Sequence, residues 1–289
     1  MMAQLIDRKA LKAETKSLLR TAQVSPIAMT ALFLGISAVL DTADVITGIA
    51  VDGGLVSLFV SVLTGLVGMV LSAGFCLYCM AVRRGERAEF LTLFDGFSFV
   101  GKIIALNIVI SIFVGLWSML FVIPGIVATY RYRFALYNLY ENPELGVMEA
   151  LAMSKQQTYG YKGQLLMFDL SYFGWTLLAT LPMLVMNFCS DFQTLQQMLG
   201  GSSVPAMVGM VANLSPLAMI LVVDAWVLIV SLFYLPHLQC TELGYYEIAQ
   251  QTSGVRADSP LRNNRTPDGP DNMGGWQPPL YNVQPPGRL

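Results

Sequence analysis

The sequence predicts an all-α membrane protein with six transmembrane helices, arranged as three helical hairpins, with cytoplasmic amphipathic segments. Three observations predict it. The 289 residues are 55% hydrophobic and only 12% charged, about half the charged share of an ordinary soluble domain. Apolar segments run at about 22–40, 55–82, 99–139, 164–189 and 206–235, and about 20 residues suffice to cross a bilayer. The 17 Lys and Arg residues fall in four clusters separated by long stretches that contain neither.

Residues 1–21 form the first predicted unit. They read as an amphipathic helix over 2–20, with Ile6, Ala10, Ala13 and Ser17 on one stripe and Arg8, Lys9, Lys12 and Lys16 around it. Such a helix suits an anionic membrane surface, and it suits packing on the protein's own cytoplasmic face equally well. No short apolar core precedes a small-residue cleavage site, so the first apolar segment is expected to stay as an anchor.

Residues 22–249 form the predicted transmembrane domain. The third apolar segment is about twice the length of one span, so two short helices with a tight turn are expected within 99–139. Gly115 and the Pro124-Gly125 pair are the candidate breakers. Charge decides between five and six spans. The clusters are Arg8 to Arg20, Arg83 to Lys102, Arg131 to Lys162 and Arg256 to Arg288, and the segments 21–82, 103–130 and 163–255 contain no Lys or Arg. Six spans put all four clusters on one side, with loops at about 41–54 and 190–215 opposite, which is the positive-inside pattern with both termini cytoplasmic. An internal echo between LFVIPGIVAT at 120–129 and LFYLPHLQCT at 232–241 suggests that Pro124, like Pro236, kinks a helix, moving the turn to near Gly115. A second echo pairs GFSFVGK at 96–102 with DLSYFGW at 169–175. In the second span, Ser57, Ser61 and Gly65, with Thr64, Gly68 and Ser72, are small residues at a spacing that permits close helix packing.

Residues 250–289 hold half of the 14 prolines. This stretch cannot bury a core and is expected to be a disordered cytoplasmic tail. Its Pro278-Pro279-Leu280-Tyr281 resembles a WW-domain ligand, a match that short Pro-rich stretches produce by accident.

The ordered blocks RRGERAEFLTLFDGF, LWSMLFVIPGIVATYRYRFALYNLYENPELGVMEALAMSKQQTYGYKGQ and FDLSYFGWTLL resemble a bacterial integral-membrane family, domain of unknown function 975. The basic amino-terminal helix and the YLPHLQCTELGYYEIA end are similar to it too. The resemblance covers about residues 5–250. It implies membrane class and a bacterial plasma membrane, and it carries no activity.

Charges inside spans are costly and default to functional candidates. Arg131 and Arg133, among Tyr130, Tyr132 and Tyr137, are placed either to act or to snorkel to the inner headgroups. Asp169 stands early in the fifth span and could pair with Arg131 or Arg133. Asp224 lies mid-span without a local basic partner, so it is protonated, hydrogen-bonded to another helix, or hydrated in a cavity. His237 is the single histidine and has no catalytic partner nearby in sequence. Cys76, Cys79, Cys189 and Cys240 lack the ligand set of a metal site. No phosphate-binding loop, dinucleotide fingerprint or zinc-protease motif is present. No catalytic residue, cofactor or metal is expected, and no nucleic-acid partner. The reading is a non-enzymatic organiser of membrane lipids or of membrane or cytoplasmic protein partners. The alternative is a small transporter or permeation pathway using the intramembrane acids.

Overall fold

A computed structural model of the chain describes residues 5–51, 54–199, 208 and 214–255. The expected disordered tail, apart from its first residues, and most of the 200–213 stretch lie outside the described residues. The described residues are helical and without strands. Among the described residues, five helical stretches are long and apolar enough to cross a membrane.

Helix α1 spans Arg8–Thr21, and the Asp7 carboxylate caps it by accepting from the Lys9 and Ala10 amides, satisfying donors with no partner inside the helix. The buried stripe is only partly the expected one, since Ile6 is buried but the rest of the stripe is not. Leu11, Thr15 and Leu19 are buried, while Ala13 and Ser17 are exposed. Leucines bury more apolar area than the alanine and serine stripe offers. This face is covered by protein: Leu11 touches Gly244, and Thr15 meets Thr241 at 3.3 Å.

Helix α2 (Pro26–Ala50) begins with proline in its first turn, where the missing amide costs nothing. It runs well beyond the expected boundary, so most of the loop read at 41–54 is helix. Helix α3 (Leu55–Arg84) ends on Gly85 in the left-handed conformation, φ 67°, which glycine adopts without a side-chain penalty. A 3-10 helix (Phe90–Phe99) follows and leads into α4 (Val100–Leu120).

The chain breaks at Phe121, which is extended at φ −159° and ψ 151°. The turn is therefore not at Gly115. Pro124 falls in the first turn of α5 (Val122–Tyr132), a position that tolerates proline, whereas Pro236 sits inside its helix. The two echoed motifs thus take different structures. After α5 come α6 (Ala135–Glu141) and α7 (Val147–Gln157). The 121–143 stretch runs back along α4. Ser118 lies against Gly125, the Phe113 and Tyr132 rings stack at 5.8 Å, and those of Phe99 and Tyr140 meet at 5.9 Å.

Helix α8 (Lys162–Met198) has 37 residues and α9 (Pro216–Ser253) has 38. Each is about 55 Å long at 1.5 Å per residue, nearly twice a bilayer core. Helix α8 thus takes up the start of the loop expected at 190–215. The excess length explains how burial divides. Toward one end, the second half of α3, the start of α8 and the second half of α9 enclose Tyr78, Phe134, Phe168, Tyr245 and Tyr246. Toward the other end, large apolar side chains such as Phe59, Ile112, Val185 and Ile229 point outward.

Close packing does not use the small stripe expected on α3: a Cβ on Gly65 or Gly68 would meet nothing within 4 Å. It uses Gly74 instead, where a Cβ would overlap the Leu93 carbonyl, and Gly96, where it would lie 2.7 Å from the Val70 carbonyl.

Candidate functional site

The polar side chains gather where the long helices bury one another. Arg133 leaves the end of α5 and enters between α8 and α9. Its guanidinium donates to both oxygens of Asp169, at 2.5 and 2.9 Å, and to both oxygens of Glu242, at 2.6 and 2.9 Å. Tyr130 donates to Asp169 at 2.7 Å, and Tyr137 donates to Glu242 at 2.7 Å. The planar fork of arginine matches a carboxylate on each side. One cation thus ties the α5–α6 junction to α8 and α9. Two carboxylates share that one cation, and the two phenol donors satisfy acceptor positions it leaves open.

Two further clusters lie nearby. Arg83 donates to Glu247 at 2.7 Å and to the Cys240 carbonyl at 3.1 Å, and stands 3.7 Å from Glu14 of α1. Arg84 pairs with Glu141, which also accepts from Gln250 at 2.6 Å. The Tyr246 hydroxyl lies 2.9 Å from Asn138, and Asn138 and Gln157 form a reciprocal amide pair at 2.9 and 2.8 Å, both fully buried. Buried amides that satisfy each other avoid the cost of unmade bonds. Helix α1 joins through Arg8, which donates to the Met167 carbonyl, and Lys12, which donates to Ser171 and lies 4.0 Å from the Tyr172 ring centre. Burial, and then Arg8 beside it, lowers the pKa of the Lys12 ammonium.

The residues singled out from the sequence fare differently. Asp169 and Arg133 are brought together. Arg131 is not part of that pair: its guanidinium lies over the Tyr132 ring at 5.9 Å, and its carbonyl accepts from Ser154 and Thr158. His237 is half-buried on α9, and its carbonyl accepts from Thr241 at 2.6 Å. Asp224 is remote from the cluster. Its Oδ2 is buried with no hydrogen-bond partner among the described residues. Asp44 of α2 accepts from Ser61 at 2.6 Å.

Sequence reasoning missed Glu242, Arg83, Glu247 and Glu141. The signal was present: Glu242, Tyr246 and Gln250 repeat every four residues, a polar stripe on one helix face. It also missed Asp41 and Asp44, because the extension of α2 was read as loop. Among the described residues, no group of three or more His, Cys, Asp and Glu side chains is placed to hold a metal ion. Arrangements of this kind clamp helices.

The clamp residues Arg133, Glu141, Asp169, Glu242 and Glu247 all fall in one stretch of chain. Residues 119–253 match the family model described as protein of unknown function (DUF975). The DUF975 stretch begins in the last turn of α4 and ends with α9. It includes the YRYRFALYNLYENPELGVMEALAMSKQQTYGYKGQ block that carried the resemblance, while RRGERAEFLTLFDGF and the amino-terminal helix precede it. Both ends of every Arg133 interaction lie within the DUF975 match, whereas Arg83, Arg84 and Glu14 reach it from outside. No curated protein and no solved structure matches the chain.

Proposed function

We propose that this chain is a six-span protein of a bacterial plasma membrane, with both termini cytoplasmic, that organises lipid or protein partners without catalysing a reaction. Helix lengths support the placement. At 1.5 Å per residue, α3 rises about 27 Å from Leu55 to Ala73, α4 about 26 Å from Ile103 to Leu120, and α9 about 26 Å from Leu217 to Tyr234. Each nearly matches the roughly 30 Å hydrocarbon core. Residues 121–141 supply the sixth crossing, since they return along α4 and have about the length one span requires. The Lys and Arg clusters then fall at the end where Arg83, Arg84 and Arg133 are held, in accord with the positive-inside pattern.

The observation that carries the organiser reading is the Arg133 clamp. Its charged groups are engaged in joining three chain segments, which suits a fixed platform better than a reactive centre. Exposed Lys9, Lys16 and Arg20 on α1 and Arg87 after α3 supply positive charge for anionic headgroups or an acidic protein segment. The test is purification from native membranes in mild detergent, followed by lipid and protein analysis of wild type and of Arg133→Ala. A defined lipid class or protein retained by wild type and lost from the variant supports the reading. Substrate flux by the purified protein alone, in vesicles, overturns it.

The Asp224 carboxylate, whose Oδ2 is buried without a hydrogen-bond partner among the described residues, favours a second reading, a proton- or cation-coupled transporter, because an acid within a span is costly and defaults to a functional candidate.

A further inference from the structure

The 3-10 helix Phe90–Phe99 has three distinct faces, and they repeat in register with its own geometry. A 3-10 helix has three residues per turn, so positions three apart eclipse one another. On the first stripe Leu93 and Gly96 face α3 and are buried and Phe99 is partly buried, while Phe90 at the start of the helix is 48% exposed. Leu91, Phe94 and Phe97 form the second stripe. They are 69%, 42% and 44% exposed, and the two phenylalanine rings stack at 6.4 Å. Thr92, Asp95 and Ser98 form the third stripe, and Asp95 and Ser98 are exposed.

We infer that this helix lies in the plane of the cytoplasmic leaflet boundary, with protein on its first face, lipid on its second and water on its third. The inference rests on the membrane placement proposed above. Its depth follows from the contacts: Leu93 lies against Gly74, and Gly96 against Val70 and Ala73, at the level where the rise of α3 from Leu55, about 27 Å, runs out. The apolar stripe is continuous in chain with the lipid-facing side of α4, where Ile108, Ile112 and Leu116 are exposed. Three large apolar side chains in water are costly, and Asp95 in hydrocarbon is costly too. A boundary is the one depth that satisfies both stripes together, and an apolar face set into the headgroup–acyl region is how interfacial helices bind. The occupant is therefore the acyl–glycerol layer of the protein's own membrane. Only α4, and not the whole Phe90–Leu120 stretch, then crosses.

The test uses the full chain in vesicles of phosphatidylethanolamine and phosphatidylglycerol. Spin labels go on Leu91→Cys, Phe94→Cys, Phe97→Cys, Asp95→Cys and Ser98→Cys, one at a time. The native cysteines are buried, and the unsubstituted protein measures their background. The oxygen-to-nickel accessibility ratio should be severalfold higher at 91, 94 and 97 than at 95 and 98, giving a period of three. Uniformly high nickel access would put the helix in water. Uniformly high oxygen access would put it inside a span. Protection of 91, 94 and 97 from both relaxants would put a second copy on the stripe. Each of these overturns the inference. Labels at Leu63→Cys and Leu116→Cys separate the two readings. If they report lipid while the helix fails, the membrane placement stands and only the boundary assignment falls. If they report water, the placement itself has failed.

Discussion

Arg133 grips Asp169 with two parallel hydrogen bonds, Nη1 to Oδ2 at 2.5 Å and Nη2 to Oδ1 at 2.9 Å, from a helix junction 36 residues away in the chain. The same guanidinium grips Glu242, so removing Arg133 leaves two half-satisfied carboxylates. Arg133→Ala is expected to destabilise the bundle by about 2–4 kcal/mol, toward the lower part of the range for buried pairs because the site is partly exposed. Arg133→Lys should recover less than half of the loss, since an ammonium cannot bridge two carboxylates bidentately. Thermal unfolding in detergent measures both. A lysine variant as stable as wild type would show that charge alone, without the fork, holds the helices.

Gly74 and Gly96 set how closely the 3-10 helix approaches α3. Gly74→Ala should destabilise by about 1–3 kcal/mol or more, because the new methyl meets the Leu93 backbone, which has no side-chain freedom to move aside. Gly68→Ala meets nothing within 4 Å and should be neutral or slightly stabilising. Equal melting temperatures for the two variants would count against the packing described.

Topology is checked by thiol labelling in intact cells. Cysteines placed at Val51 and Leu199 should react from outside. Those at Arg87 and Glu144 should react only after permeabilisation. Labelling of Glu144→Cys from outside would mean that the 121–141 stretch does not cross, and would reduce the spans to five.

Asp224 separates the two functional readings. Asp224→Asn keeps size and hydrogen bonding and removes titration. On the organiser reading, stability and partner retention stay near wild type. On the transporter reading, pH-dependent flux disappears while the protein stays folded. Asp224→Leu should change stability modestly, by under about 1 kcal/mol, because Oδ2 has no hydrogen bond to lose. A large loss would reveal a partner for the other carboxylate oxygen.

The carboxyl-terminal stretch can be trimmed by different amounts. Gln157 donates to the Val255 carbonyl at 3.1 Å, and Gly254 caps α9. Truncation after Val255 should leave expression and detergent stability unchanged, since composition gives the removed residues no core to build. Truncation after Gln251 should cost about 1 kcal/mol through the lost cap and hydrogen bond. Unfolding curves of the two truncations check this. A large loss on truncation after Val255 would mean that residues beyond it dock on the bundle.

The sequence by itself determined the membrane class and the helical composition, and it offered Asp169 as a possible partner for Arg131 or Arg133. Apolar length and charge placement are properties of a linear chain, and a span needs no distant partner to be recognised. Tertiary structure decided what depends on neighbours. It chose Arg133 over Arg131, because the junction after Tyr132 aims one toward Glu242 and turns the other onto a ring. It moved the helix break from near Gly115 to Phe121, because Ser118 and Gly125 are small enough to let α4 and α5 meet. It turned the amino-terminal helix onto Leu11, Thr15 and Leu19, because Gly244 opens a seat for Leu11 that no local pattern reveals. It also carried α2 through Asp41 and Asp44, where polarity had suggested a loop. Asp44 is held there by Ser61 of α3, which donates to it at 2.6 Å, a partner that only the packing of the two helices supplies.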